Sequence, residues 1–199
     1  TYGEDRSQSI DRMVDALDNY YIRGVNHNIS FLNALMVHPR FIAGDLSTNF
    51  IAAEFPDGFN ADLVAQGDPA IALVVLGAVN QLAEERASLL SNQLTGHEHV
   101  ANRDWVVVVG DQQSTVSVEL TESGYLVSLG NLDYQVETNW SLGEPLFKAD
   151  VNGKDISVQV ERSAKGYRLL YRGAEINAQI LSPKAAVLST HMVYKAPAD

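Results

Sequence analysis

Asp68-Pro69-Ala70-Ile71-Ala72-Leu73-Val74-Val75-Leu76-Gly77-Ala78-Val79 opens with an acidic N-cap and a proline suited to the first helical position. Ten residues without a polar side chain follow, from Ala70 to Val79. A helix that is apolar on every face leaves none for water, so it has to be enclosed by other parts of the protein. The run is about half of the roughly 20 residues that a membrane span requires, so it predicts a buried helix. From Asn80 onward the pattern turns polar, and the helix is expected to continue to about Leu94. Glu84, Glu85 and Arg86 read as its solvated end.

The sequence downstream supplies the enclosure. Thr95–Asn102 is a polar loop, and from Arg103 the period changes to two. Val116, Val118 and Leu120 alternate with polar residues, as do Leu132, Tyr134 and Val136, then Ile156, Val158 and Val160, then Ile176, Ala178 and Ile180. Turn pairs break the series at Gly110-Asp111, Ser123-Gly124, Gly130-Asn131, Asn152-Gly153, Lys165-Gly166 and Arg172-Gly173. Such short spacing predicts an antiparallel meander of about eight strands. Closure into a barrel removes the exposed edges. The expected fold is α+β: a long central helix, 69–94, surrounded by an antiparallel, roughly eight-stranded β-barrel, 103–195.

The first part of the chain is different in kind. Asp5 and Gln8 form a capping-box pattern ahead of Ile10, Met13, Val14 and Leu17, which predicts an amphipathic helix over 6–20 ended by Gly24. Asn28 is the expected N-cap of a second helix, stopped by Pro39, and 48–54 a third. Residues 1–58 are too few to cover these stripes and read as the small helical tail of a larger domain, with a second domain over 59–199. Thr1 is not an initiator methionine, so the chain is expected to be a piece of a longer one.

The formal charge is −11, with a net excess of acid both in 1–60 and in the remainder. A nucleic-acid partner is excluded for want of a basic face, and an acidic membrane surface for the same reason. There are no cysteines, which removes disulfides and thiolate chemistry.

The pattern Asp11-Arg12-Met13, Ala16-Leu17, Ile22-Arg23-Gly24-Val25-Asn26-His27-Asn28-Ile29 and Phe31-Leu32 resembles the final helices of biotin carboxylase domains, as does Gly44-Asp45-Leu46-Ser47-Thr48-Asn49-Phe50-Ile51. Residues 60–199 are similar to the linking (BT) domain of the alpha subunits of propionyl-CoA carboxylases, which are biotin-dependent acyl-CoA carboxylases. The resemblance implies a central helix inside a barrel. It also implies a protruding hook at Thr95–Asn102 that docks on the carboxyltransferase beta subunit. Thr95, Gly96, His97, Glu98, His99 and Val100, with Arg103 and Trp105 beside them, are the expected subunit-interface residues. His191-Met192-Val193-Tyr194-Lys195 resembles the exit toward the biotin carrier domain.

The cofactors of such a parent enzyme are biotin, ATP and magnesium or manganese. Its partners within the same chain are the biotin carboxylase and carrier domains, and its setting is the bacterial cytoplasm or the mitochondrial matrix. The methionines are Met13, Met36 and Met192, none beside a lysine, so the biotinylation signal is not here. The chain is therefore expected to be a non-catalytic assembly module, without catalytic, cofactor or metal residues of its own. Two alternatives stand beside it: a free-standing barrel binding a small ligand in its lumen, and the same role in a 3-methylcrotonyl-CoA or geranyl-CoA carboxylase.

The remaining polar groups have plain readings. His97 and His99 lack a third ligand for a metal. Ser88, Ser91 and Ser189 have no nucleophile setting. Asp11, Asp15 and Asp18 read as one wet helix face, and Trp140 as barrel core.

Overall fold

The computed structural model describes residues 1–60, 69–164 and 166–191. Helices α1 (Arg6–Asp18), α2 (Ile29–Val37), α3 (Pro39–Ala43), α4 (Phe50–Glu54) and α5 (Pro69–Ser88) come first. Eight strands follow: β1 (Asp104–Val109), β2 (Gln112–Thr121), β3 (Gly124–Leu129), β4 (Leu132–Glu137), β5 (Leu146–Val151), β6 (Lys154–Ser163), β7 (Gly166–Tyr171) and β8 (Ala174–Leu181). A short α6 (Pro183–Ser189) comes after them. Each strand pairs antiparallel with its neighbours in sequence, and β8 returns to β1, so the barrel is closed. The fold is α+β, as predicted.

Helix α5 occupies the lumen. Val74, Val75, Leu76 and Ala78 are wholly buried, as are Val107, Val118, Val127 and Leu169 on the inner wall. Burying each such Val or Leu contributes about 1.5–3 kcal/mol, so the helix and the barrel hold one another folded. A lumen filled in this way does not fit the ligand-binding alternative.

Gly77 marks the closest approach of helix to wall. A Cβ there would sit 2.9 Å from Val116 Cγ1 and 3.2 Å from Val118 Cγ2. Gly77→Ala gains about 1 kcal/mol of helix propensity but overpacks the wall by about 1–3 kcal/mol. The net expectation is a loss of about 1 kcal/mol, read as a lower denaturant midpoint. A midpoint above that of the parent chain would show that Val116 yields freely.

Several boundaries depart from the sequence reading. Helix α5 stops at Ser88, not Leu94, because side chains take its last carbonyls. Ser88 Oγ donates to Glu85 O at 2.7 Å, and Gln93 Nε2 donates to Ser88 O at 3.0 Å and to Leu90 O at 2.9 Å. Asn92 takes a left-handed φ of 64° where the chain turns away. The strands end at Leu181, not near 195, because Ser182 and Pro183 start α6, with Ser182 Oγ accepting from Ala185 N. Helix α1 ends at Asp18, well before Gly24, its cap being Asn19. Pro39 stops α2 and also opens α3, capped by His38 Nδ1. Asn28 sits at the N-cap of α2 without a side-chain capping bond. Leu120 and Leu132 have the inward parity yet lie exposed near strand ends. The Asp68 N-cap, Lys165 and residues 192–195 lie outside the described residues.

The helical tail packs on the barrel. Tyr21 Oη donates to Glu161 at 3.2 Å, Ser157 Oγ to Asn19 Oδ1 at 3.2 Å, and Gln159 Nε2 to Asp18 O at 3.4 Å. Asp18, expected to be wet, is only 6% exposed. Its Oδ1 accepts from Arg172 N–H at 2.9 Å and from Asn33 Nδ2 at 2.5 Å. The α1 stripe thus finds part of its cover in α2, β6 and the β7–β8 turn.

Candidate partner-docking site

The segment joining α5 to β1 runs over residues 89–103 and is held at its base. His99 Nε2 lies 2.8 Å from Glu84 Oε2, and His99 N–H donates to Gln93 Oε1 at 2.5 Å. Glu98 accepts Gly96 N–H on both oxygens, at 3.1 and 3.0 Å, closing a small turn at the tip. Amide donors, its own first and then that of Gly96, hold the Glu98 carboxyl below its usual range. At the exit, Arg103 O accepts from Val118 N–H at 2.8 Å, which locks the loop to β2.

A polar relay inside the barrel mouth braces this base. Trp105 Nε1 donates to Gln81 Oε1 at 3.4 Å, Gln81 Nε2 to Glu85 Oε1 at 3.3 Å, and Tyr125 Oη to Glu85 Oε2 at 3.1 Å. Burial, reinforced by the Glu85 charge, pushes the Tyr125 phenol far above its usual range, so it stays a donor. Glu84 and Glu85, read from sequence as a solvated helix end, are half-buried structural anchors. Trp105 belongs to the buried core cluster. It is 5% exposed and supports the loop from beneath.

Thr95, Gly96, His97, Glu98, His99, Val100 and Arg103 are all exposed, on one continuous segment. Large apolar side chains that the sequence reading passed over accompany them. Leu89 is 84% exposed, Leu90 64%, Leu94 77% and Val100 80%. Bare leucines are thus concentrated on a loop pinned at both ends, which makes it a candidate interaction surface. The overextended helix concealed it, since Leu89, Leu90 and Leu94 then fell on helical turns.

Among the described residues no three His, Asp or Glu side chains converge on a possible metal position. His99 is engaged by Glu84, which leaves His97 alone. No lysine flanked by methionine is present for biotin, and no glycine-rich phosphate loop opens α5. The described residues form no cluster suited to a metal-bound nucleotide.

A closed antiparallel barrel that encloses its own helix, with a braced loop at its mouth and a helical tail docked on its wall, defines the architectural class of this chain. The chain matches the family model of the propionyl-coenzyme A carboxylase BT domain over residues 71–195 and that of the biotin carboxylase C-terminal domain over residues 1–53. It belongs to the propionyl-coenzyme A carboxylase BT domain family. It is 31% identical over 200 residues to the propionyl-CoA carboxylase alpha chain of Ruegeria pomeroyi, covering 100% of this chain and 29% of that one. It is 33% identical over 204 residues to the mitochondrial propionyl-CoA carboxylase alpha chain of Mus musculus, covering 100% of this chain and 28% of that one. The mitochondrial methylcrotonoyl-CoA carboxylase subunit alpha of Dictyostelium discoideum is 46% identical over 50 residues, 25% of this chain and 7% of that one. The chain spans less than a third of the length of these curated relatives.

Proposed function

We propose that this chain is a non-catalytic assembly module of a biotin-dependent acyl-CoA carboxylase alpha subunit. Residues 1–58 are the end of a biotin carboxylase domain, and residues 59–199 form the linking domain that joins it to the carboxyltransferase beta subunit. In the parent enzyme, biotin is carboxylated at the expense of ATP and bicarbonate, and the carboxyl group is then passed to propionyl-CoA. The module contributes orientation and effective concentration to a carrier commuting between two sites. Bacterial cytoplasm or mitochondrial matrix is the fitting setting, given a bacterial relative and relatives named as mitochondrial.

The observation that carries this reading is the exposed 89–103 segment, pinned at its base by His99 while its leucines face solvent. Preordering lowers the entropy lost on docking, and buried apolar anchors supply most interface energy. Deleting Thr95–Asn102 is expected to leave the barrel folded and to weaken beta-subunit association at least about tenfold, or 1.4 kcal/mol. Size-exclusion co-elution with the carboxyltransferase beta subunit, together with far-UV circular dichroism, checks both halves. Undiminished co-elution would refute the reading. Propionyl-CoA is preferred as substrate because the propionyl-CoA carboxylase relatives align with the whole chain, whereas the methylcrotonoyl-CoA relative aligns with 25% of it. Comparing turnover of the assembled enzyme on propionyl-CoA and 3-methylcrotonyl-CoA decides that point.

A further inference from the structure

Beside the base of the loop, Val79, Ala83, Ala87 and Leu90 recur at helical spacing along α5 and just beyond it, on one wall of a recess. Trp140 and Leu142, from the long β4–β5 connection, form the facing wall. Ala83 and Ala87 are too short to close the gap, and about 640 Å³ stays open. Its floor is apolar, with Val79 1%, Val160 7% and Trp140 8% exposed.

The rim is cationic. Arg23, Arg86 and Arg162 come from three separate segments. Arg86 and Arg162 form no ion pair among the described residues, while Arg23 lies 3.9 Å from Glu161. Glu161 is already engaged, with Arg168 at 3.2 Å and Tyr21 Oη at 3.2 Å. Glu144 is the other carboxylate in the lining. In a chain of formal charge −11, Arg86 and Arg162 place positive charge with no ion-pair partner among the described residues beside an apolar floor. The recess also continues the leucine-bearing face, since Leu90 belongs to both.

We propose that this recess is a socket for an acidic segment of the partner subunit. One apolar side chain of that segment inserts between α5 and the β4–β5 connection, and neighbouring carboxylates meet Arg86 and Arg162. Bidentate guanidinium–carboxylate pairing suits both arginines, and a dry floor suits a single apolar anchor. The proposal rests on the docking reading above and specifies the chemistry of the surface that the partner presents.

The test measures association of this chain with the carboxyltransferase beta subunit at low and high salt. The double variant Arg86→Glu, Arg162→Glu is expected to lower the association rate about tenfold at low salt and to flatten its salt dependence. The Arg86→Lys, Arg162→Lys pair keeps most of that rate, because the charge remains. Ala87→Phe fills the recess from within and is expected to raise the dissociation rate about tenfold, as lost interface contacts usually do. Melting curves confirm that each variant is folded. If deletion of Thr95–Asn102 weakens binding while the glutamate pair leaves the association rate unchanged, the socket is wrong and the docking reading survives. If both leave binding unchanged, both fail. Loss of binding of the probe 8-anilinonaphthalene-1-sulfonate by the glutamate pair, with association intact, would assign the recess to a small organic anion and overturn the proposal.

Discussion

Gly173→Ala is expected to separate the helical tail from the barrel while leaving the barrel itself closed. Gly173 occupies the β7–β8 turn at a φ of +83°, and its Cα faces the backbone of α2. A Cβ there would lie 2.6 Å from Ser30 O, 2.7 Å from Ala34 N and 3.1 Å from Ala34 Cα. These are main-chain atoms of a helix, and unlike the tip of a side chain they cannot swing aside. The left-handed conformation costs a residue with a Cβ about 1–2 kcal/mol in addition. Helix α2 must therefore move outward, and with it Asn33, which shares Asp18 with the Arg172 amide. A total of about 3 kcal/mol is expected, a lowering of roughly 6–12 °C in melting temperature for a chain of this size. Amide exchange should quicken in α1 and α2 and stay slow in β2 and β3. A melting temperature within a degree of the parent would show that the turn and α2 are not in the close contact described.

What was legible in the sequence depended on the range of the interaction that fixes it. The barrel was legible because a two-residue period and turn pairs such as Asn152-Gly153 are local, and Asn152 does take a left-handed φ of 52°. The enclosed helix was legible because Ala70–Val79 has no wet face, whatever covers it. The polar end of α5 was not. Glu84 and Glu85 look like surface carboxylates until Tyr125 and His99, distant in sequence, arrive beside them. The end of α5 was missed because its stop is made by the Gln93 side chain rather than by a glycine or proline. Of the exposed residues proposed for docking, the polar tip was reached through the family resemblance, whereas Leu89, Leu90 and Leu94 were hidden inside an overlong helix. Asp18 was misread for a related reason. Its spacing from Asp11 and Asp15 describes one helix face, but the end of that face is roofed by a turn some 150 residues away in sequence, at Arg172.

That roof gives the tail–barrel junction an expected pH dependence. Burial raises the Asp18 carboxyl from 3.8 to about 6, against the lowering effects of the Arg172 amide, the Asn33 amide and the Arg172 charge, while Asp15 adds to the rise. Asn33 Oδ1 and Arg172 Nε are buried beside it without hydrogen-bond partners among the described residues. A void of about 10 Å³ remains in the same junction, with His27 on its lining. The folded chain thus binds the Asp18 proton more tightly than the unfolded chain, so this group favours folding most below pH 3.8. The contribution declines as the pH rises from about 4 to about 6 and is gone above that, a change of about 3 kcal/mol. Glu175, held below its usual 4.5 by Arg168, acts in the opposite direction: its contribution is full above that value and is lost as the pH falls below it, so the two overlap only at the acid end of the range. Asp18→Asn keeps an oxygen for the Arg172 and Asn33 donors and removes the buried charge. It is expected to flatten the stability profile between pH 4 and 6 and to raise stability at pH 7.5 by up to about 3 kcal/mol. Asp18→Ala also flattens the profile but strands two buried donors at about 1–3 kcal/mol each, so it gains little or nothing at pH 7.5. Urea melts across this pH range separate the outcomes. An Asp18→Asn chain whose stability still falls with the parent's slope between pH 4 and 6 would assign the dependence to another group.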